Sequence, residues 1–207
     1  MCADVSNYTL TTERLVIRPF TPDDLAAIHP ILNAAFASDT PLEDRTSWLH
    51  WSVANARELA ALYQPPYGDR AIIVQATGTL IGAVGYVPCF APFDTLPDFA
   101  NTQPASGLYT PEFGLFWAID PAHQRQGYAT EAARALVHYA FSTLRLKRIV
   151  ATTDYDNPAS QAVMRKLGMR LARNPHATPD WFQIVGILPH PDLTHTSAPQ
   201  EGVTYAS

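Results

Sequence analysis

The sequence contains few cysteines, few charged residues and no excess of positive charge, and each shortage excludes a class of protein. Its two cysteines, Cys2 and Cys89, are too few for a disulfide framework or a cysteine-rich zinc site, and they suit a reducing cytoplasm. Charged residues make up 16% and hydrophobic residues 47% of the 207 positions, which indicates a globular chain. The net charge of −5 disfavours nucleic-acid binding through a broad basic surface.

Metal-ligand spacings, long apolar runs and a leader pattern are also missing. The seven histidines are scattered without the HExxH spacing or a similar ligand pattern, so we predict no metal site. No apolar run approaches the roughly 18 residues that a membrane-spanning helix needs, so we predict no membrane partner. The first residues lack a basic segment followed by an apolar one, so we predict no secretory signal and expect a cytoplasmic protein.

Alternating strand and helix patterns predict one α/β domain between two tails. The order is strand, two helices, a β-hairpin, a long loop, then strand, helix, strand, helix and a final strand pair. We place the domain at residues 10–188, after an N-terminal tail at 1–9 and before a flexible C-terminal tail at 189–207. The predicted strands include 14–20, 70–75, 79–87, 112–119 and 147–154, and the predicted helices follow Thr21, cover 44–63, begin at Gly127 and cover 157–168.

A proline-rich segment at 88–111 interrupts this pattern. It holds five prolines in 24 residues, and loops of this length in a compact domain are either functional or disordered. The aromatic residues Phe90, Phe93 and Phe99 favour an ordered loop. The loop lies either over a substrate entrance or at a contact between two copies of the chain. The oligomeric state, monomer or homodimer, is also left open by the sequence.

The stretch "HQRQGYATEAARALVHYAF", His123–Phe141, leads from an apolar strand through a glycine turn into a helix. The first four N–H groups of a helix have no acceptor inside the helix, and the helix dipole makes that end electropositive. Such a turn binds anions such as a pyrophosphate, and Gly127 lets the oxygens approach the backbone. Gln124 and Arg125 are candidate side-chain donors. A plain helix cap explains this turn equally well.

Three motifs resemble one family. "QRQGYA" is similar to the Q/R-x-x-G-x-G/A signature of the GNAT superfamily of acyl-CoA N-acyltransferases, and "DPAHQRQGYATEA" resembles its branch of bacterial ribosomal-protein N-terminal acetyltransferases. "NPASQAVMRKLGM" is similar to that branch's N-x-x-S-x-x-V-x-x-K-L-G-F, with Met169 in place of the usual Phe. "TERLVIRPFTPDDL" resembles the start of the branch. The resemblance covers residues 10–188 except the segment 88–111.

The resemblance implies a fold and a coenzyme site. The fold is a mixed, mostly antiparallel sheet with splayed central strands flanked by helices, and acetyl-CoA is the co-substrate. The glycine loop grips the pyrophosphate, and the backbone of the strand before it pairs with the pantetheine arm. Asn157 contacts that arm, caps the next helix, or does both. The implied binding residues are Trp117, Ala118, Ile119, Gln124, Arg125, Gln126, Gly127, Tyr128, Ala129, Thr130, Asn157 and Ser160.

The resemblance also implies direct attack of a neutral amine on the thioester, which needs a proton acceptor and a proton for the thiolate. Glu112 is the candidate base, through water, although two extra residues separate it from Pro121 compared with some relatives. An exposed strand-edge glutamate is the alternative. Where many members carry a tyrosine as general acid this chain has Met164, so Ser160 is the candidate donor, or else only a polar surface residue or a cap.

The acceptor and one rival function stay open. A protein N-terminus and a small-molecule amine both fit the resemblance. Aromatic residues within 30–67 and 88–111 suggest an apolar acceptor or a protein interface, or they belong to the core. The rival function is a non-catalytic CoA-binding or sensing module on the same fold. A nucleotide-phosphate enzyme is disfavoured, since the G-K-[ST] of a P-loop is missing.

Overall fold

Eight strands form one sheet with helices on both faces. The computed structural model describes residues 8–96, 99 and 105–194. The strands are β1 (Leu10–Thr11), β2 (Leu15–Pro19), β3 (Gly68–Val74), β4 (Leu80–Ala91), β5 (Thr110–Ile119), β6 (Arg148–Thr153), β7 (Arg170–Arg173) and β8 (Ile184–Pro189). The helices are α1 (Leu25–Ala35), α2 (Leu42–Ala61), α3 (Tyr128–Ser142), α4 (Pro158–Lys166) and α5 (Pro191–Thr194).

The sheet is mixed and mostly antiparallel, which confirms the predicted fold. Its strand order is β1-β2-β3-β4-β5-β6-β8-β7. The pair β5–β6 is parallel, and the other neighbouring pairs are antiparallel. A parallel pair needs a crossover, and α3 supplies it between β5 and β6. In the described ranges, no helix has both the length and the apolar composition to cross a membrane.

Side chains that alternate along the strands divide the core between the two faces of the sheet. On one face, here called the α3 face, Leu136 of α3 and Met164 of α4 pack in a large cluster with strand residues such as Leu115. The opposite face, here called the α1 face, carries two clusters. One packs α1 and α2 against Ala83 and Ala118, and the other packs the end of β4 against β6 and β8.

The parallel strands β5 and β6 separate toward their carboxyl ends. Among the described residues, they pair at one position, Gly114 with Val150. Beyond it, β5 continues to Ile119 and β6 to Thr153 without pairing to each other. This divergence confirms the expected splayed strands, and it leaves backbone groups of β5 open toward β6 because unpaired ladder groups need another partner.

Strand β4 extends further than the sequence pattern predicts. It ends at Ala91 rather than at residue 87, and Pro88 pairs with Phe113 inside it. A proline is tolerated there because the first residue of β3, Gly68, pairs with Tyr86. The residues of β4 after Tyr86 therefore have no β3 residue opposite them. The predicted loop at 88–111 is therefore shorter. Residues 97–98 and 100–104 of that loop, and tail residues 1–7 and 195–207, lie outside the described residues.

The helix ends follow local capping rules. A 3₁₀ turn at Pro22–Asp24 precedes α1, and the Thr21 backbone N–H donates to the Asp24 carboxylate at 2.7 Å. Helix α4 ends at Lys166, and Gly168, which follows its C-cap Leu167, has a φ of +86° that suits glycine. The Met169 N–H closes that end by donating to the Met164 carbonyl at 3.0 Å. These local signals are why the predicted helix order agrees with the structure.

Candidate functional site

The loop between β5 and α3, residues 120–127 and here called the glycine loop, turns sharply before the helix begins. Asp120 starts it by accepting a hydrogen bond from the Ala122 N–H at 3.0 Å. Arg125 has a φ of +61° and Gly127, the N-cap of α3, a φ of +87°. The second value favours glycine, because a Cβ in that region strains the backbone. The turn aims the start of α3 toward solvent.

Six consecutive backbone N–H groups at this turn have no internal partner. In the part of the chain that the structure describes, the amides of residues 125–130 donate to no backbone or side-chain acceptor. The first N–H at this end with an acceptor is that of Glu131, which donates to the Gly127 carbonyl at 3.0 Å. The side chains of the glycine loop are largely exposed. A row of free donors at a helix start is an anion-binding arrangement.

Gln124 differs from the residues that follow it. Its side-chain amide donates to the Ile119 carbonyl at 3.0 Å, and its backbone N–H makes a long contact of 3.4 Å with the Pro121 carbonyl. Gln126 likewise donates from its side chain to the Ala122 carbonyl at 3.3 Å. Both side chains therefore hold the loop in shape, while the Gln126 backbone N–H stays free.

An ion pair from the N-terminal strand holds the glycine loop in place. Arg14 donates to the Glu131 carboxylate from its backbone N–H at 2.9 Å and from Nε at 2.7 Å. Thr12 donates to the same carboxylate at 2.6 Å, and Arg14 Nη1 donates to the Gln126 carbonyl at 3.0 Å. The Arg14 guanidinium also lies 4.4 Å from the ring centre of Tyr128. The sequence motif "TERL" contains Arg14, but it predicts no role for this side chain.

Burial alone raises the pKa of Glu131, but the hydrogen bonds from Thr12 and Arg14 outweigh it and lower the pKa below its ordinary value. Glu131 is therefore ionised at neutral pH and ties the start of α3 to the turn between β1 and β2.

A groove of about 440 Å³ lies beside the free amides. It is lined by Glu13, Arg14, Gly127, Thr130, Glu131, Arg134 and Lys166. The Arg134 guanidinium donates to the Lys166 carbonyl at 3.0 Å, which joins α3 to the end of α4. Of the three basic lining residues, Arg14 is paired with Glu131, and Arg134 and Lys166 next to the free helix amides favour a ligand with several negative charges. Sequence reasoning missed Arg134 as a lining residue, because its wheel position gave no signal.

Helix α4 begins after the end of β6, the part of that strand that has separated from β5. The Asn157 side chain caps α4 by accepting from the Ser160 N–H at 3.0 Å, so the predicted cap is present. Among the described residues, neither the Asn157 amide nitrogen nor the Ser160 hydroxyl has a partner. Met164 is fully buried in the core of the α3 face, so it contributes packing.

On the other side of the opening between β5 and β6, the predicted residues Trp117, Ala118 and Ile119 form the end of β5 before the glycine loop. All three pair with β4, so their ladder toward β4 is complete. Their edge toward β6 is where the strands have already separated. The predicted main-chain contacts therefore lie next to the free amides of residues 125–130.

Glu112 lies at the opposite, closed end of the β5–β6 pair. Both of its carboxylate oxygens accept from the Arg148 guanidinium, and the Nε–Oε2 distance is 2.8 Å. The guanidinium lies 4.6 Å from the ring centre of Phe99. This bidentate pair joins the first residues of β5 and β6. The role of Glu112 as a base stays a prediction.

The aromatic residues suggested for an acceptor pocket are divided between core and surface. Trp48 packs edge-on against Phe20, and Phe93 is buried against Phe182. Tyr63 is 85% exposed on the surface. Phe36, which follows α1 and was not predicted, is 56% exposed and stacks on Phe116 of β5 at 5.8 Å. The α1 face therefore presents an aromatic pair beside the splayed strands.

Comparisons with known proteins identify the family of this chain. A family model described as an acetyltransferase (GNAT) domain matches residues 14–170. An uncharacterized N-acetyltransferase of Bacillus subtilis (strain 168), YnaD, is 30% identical over 165 residues, which cover 78% of this chain and 82% of the relative.

Solved structures show the same fold. An acetyltransferase from Agrobacterium tumefaciens str. C58 has a TM-score of 0.63 at 26% identity and covers 87% of this chain and 94% of its own. RimL, a ribosomal L7/L12 alpha-N-protein acetyltransferase solved with coenzyme A, has a TM-score of 0.58 at 18% identity. The match covers 87% of this chain and 96% of the RimL chain. The family predicted from the three motifs is therefore confirmed: the chain belongs to the GNAT acetyltransferases.

Proposed function

We propose that this protein transfers the acetyl group of acetyl-CoA to a primary amine by direct attack. The observation that carries the proposal is the row of six free backbone amides at residues 125–130, beside a groove with basic side chains. A pyrophosphate offers several acceptor oxygens and two negative charges, which match free amides at a helix start. The basic side chains of Arg134 and Lys166 complement the remaining phosphate of the coenzyme.

The rest of the coenzyme extends along the opening between β5 and β6. The pantetheine arm carries amide groups, and the free edge of β5 at Trp117, Ala118 and Ile119 offers backbone partners for them. The Ile119 carbonyl already accepts from Gln124, so the arm uses other groups of this edge. The unpartnered amide nitrogen of Asn157 donates to the arm while its oxygen caps α4.

The chemistry needs few side chains. A neutral amine attacks the thioester carbonyl, and collapse of the tetrahedral species releases the thiolate. The Ser160 hydroxyl supplies a proton toward the thiolate from the start of α4. The resemblance implies a carboxylate base, and Glu112 is the expectation from the sequence for that role.

The acceptor approaches over the α1 face. Phe36 and Phe116 form an aromatic wall there, which favours an amine attached to an apolar group. A protein N-terminus with an apolar first residue and an apolar small-molecule amine both have this chemistry. Each is a candidate acceptor class.

Calorimetry with CoA and a thiol-release assay with acetyl-CoA test the proposal. We expect micromolar or tighter CoA affinity and turnover with at least one member of a panel of peptide N-termini, arylalkylamines and polyamines. CoA binding without turnover on the whole panel would identify a binding module instead. Absence of CoA binding would refute the coenzyme site.

A further inference from the structure

A carboxylate that the sequence pattern did not single out lies on the α1 face. Asp69 is the second residue of β3, and it pairs with Gly85 of β4, which in turn pairs with Phe116 of β5. Directly paired residues point to the same face of a sheet, and so do residues two apart along a strand. Ala71 of β3 packs in the α1-face cluster, so the Asp69 side chain points to the α1 face.

The floor between Asp69 and β5 has no side chain. Gly85 and Gly114 lie on the α1 face between its two apolar clusters. A Cβ on Gly85 would lie 2.3 Å from the Gly68 carbonyl oxygen, so only glycine fits that position. Two strand spacings, about 10 Å, separate the Asp69 and Phe116 backbones. The Gly68 carbonyl covers Gly85, and Cys89 Sγ lies where a Cβ on Gly114 would be, so a bridging water lies above these groups rather than in a gap between the strands.

Asp69 is level with the open part of the β5–β6 pair. Its partner across the sheet, Phe116, lies two residues beyond Gly114, where β5 and β6 last pair. Glu112 lies two residues before that pair, at the closed end. Of the two carboxylates on this face, Asp69 is therefore the one aligned with the gap in which the thioester is proposed to lie.

Asp69 is also free to exchange a proton. Among the described residues, its half-buried carboxylate accepts no hydrogen bond and forms no ion pair, whereas both Glu112 oxygens accept from Arg148. Loss of hydration on burial raises the pKa of Asp69 to about 6. A base whose pKa lies close to the working pH is effective because it is mostly ionised yet holds a proton well.

No charged neighbour causes that shift. The surrounding elements carry Arg18 and Asp24 near β2, His29 on α1, Arg45 on α2, Tyr67 before β3, Cys89 on β4 and Glu112 on β5. They also carry the exposed groups Glu43, Asp44, His50, Arg57 and Glu58 of α2, and Arg70 of β3, which lies against Tyr8 on the α3 face. Arg18 is paired with Asp24 at 2.7 Å, and Arg45 donates to Asn33 at 3.0 Å. Burial is the cause of the raised pKa of Asp69, without a contribution from any of these groups.

We propose that Asp69 is the proton acceptor of the transfer. The amine substrate is held beside Phe36 and Phe116, and its ammonium group loses one proton to Asp69 through water above Gly85. This inference rests on the proposed function. The proton moves from R–NH3+ to the Asp69 carboxylate, and the freed nitrogen lone pair forms the new C–N bond. The C–S bond then breaks, the thiolate takes the Ser160 hydroxyl proton, the second nitrogen proton returns to the Ser160 oxygen, and Asp69 releases its proton to solvent.

The test compares Asp69→Asn with Asp44→Asn, the same chemical change at an exposed residue of α2. For the wild type we expect kcat at saturating amine to rise with pH through about 6, the pKa of Asp69. Asp69→Asn should lower kcat by about 100-fold, abolish this rise and leave CoA affinity within about twofold. Asp44→Asn should retain the wild-type kcat and its rise with pH. Added formate should restore part of the turnover of Asp69→Ala.

Two outcomes would overturn the inference while leaving the transferase intact. One is a raised KM for the amine in Asp69→Asn with unchanged kcat and an unchanged pH profile, which would make Asp69 an anchor for the substrate. The other is loss of the pH-dependent rise in Glu112→Gln and its survival in Asp69→Asn. Failure of the wild type to bind CoA or turn over any amine would instead refute the proposed function.

Thermal unfolding gives a readout that needs no substrate. The raised pKa of Asp69 means that its ionised form is less stable in the folded chain, so the wild type loses stability as pH rises from about 4 to 6. Asn does not titrate, so the Tm of Asp69→Asn relative to the wild type should be higher at pH 7.5 than at pH 4. A constant difference would contradict the buried, unpaired carboxylate.

Discussion

The proposed coenzyme side and the proposed acceptor side of this protein are assembled in different ways. The coenzyme side uses main-chain groups from one continuous stretch, the end of β5 through the start of α3 at residues 117–130. The acceptor side uses side chains from separate parts of the chain, with Phe36 after α1, Asp69 on β3 and Phe116 on β5. A site made of consecutive amides is encoded locally, whereas a site made of distant side chains depends on strand register. The following variants test this difference, and each is measured for both CoA affinity and amine KM.

The largest effect is expected from Gly127→Glu, which damages the coenzyme side alone. The new side chain enters a backbone with φ of +87°, lies near the Arg14 guanidinium and places a negative charge among the free amides. We expect CoA affinity to fall by at least about 1,000-fold, or about 4 kcal/mol. Calorimetry measures this loss.

The matched control for that variant is Gly78→Glu. Gly78 also has a positive φ, +70°, but it lies in the β3–β4 turn with open space around it. The substitution introduces the same backbone strain and the same negative charge, but far from the site. Equal CoA affinity in the two variants would contradict the anion-binding loop.

Met164→Ala tests whether the core beneath the coenzyme side takes part in chemistry. The side chain is fully buried, and its sulfur lies close to Gly186 of β8. We expect the free energy of unfolding to fall by about 2–4 kcal/mol through cavity formation. Below the unfolding transition, kcat should stay within about threefold of the wild type. A large selective loss of turnover in folded protein would contradict this account of proton supply.

Glu131→Gln tests the support of the glycine loop by the N-terminal strand. The lowered pKa of Glu131 means that its ionised form stabilises the folded chain above the unfolded pKa of about 4.3, and that this stability is lost as pH falls through the folded pKa. We expect a cost of about 1–2 kcal/mol at pH 7 that shrinks toward pH 3, measured by urea unfolding.

Glu58→Gln serves as the comparison for that prediction. Glu58 forms an exposed ion pair with Arg57, and such pairs contribute little to stability. Equal and pH-independent costs for the two variants would show that Glu131 does not brace the loop.

The smallest effect is expected from Ser160→Ala. Its hydroxyl has no partner among the described residues, and the thiolate is a good leaving group, so kcat should fall by less than about tenfold with CoA affinity retained. Ser142→Ala, an exposed serine at the end of α3, should leave kcat unchanged. Loss of all turnover in Ser160→Ala would make the serine an obligatory acid.

Local sequence signals predicted much of the fold and of the coenzyme side. Hydrophobic periodicity located α2 to within two residues at each end, and the glycine at 127 marked the start of α3. The full length of β4 could not be predicted in this way, because a proline such as Pro88 ordinarily breaks a strand. It is tolerated here only because β3 begins opposite Tyr86, so Pro88 has no β3 residue opposite it. The pairing of Arg14 with Glu131 could not be predicted either, because that contact joins residues far apart in the chain.

The sequence by itself determined the helix starts, the glycine turn and its row of donors, because caps, left-handed backbone positions and helix periodicity depend on neighbouring residues. Only the tertiary structure decided which of two carboxylates stays unpaired. Strand register places Arg148 next to Glu112, and it places Gly85, which has no side chain, opposite Asp69. Burial and ion pairing depend on such contacts between distant segments, so no local pattern of residues specifies them.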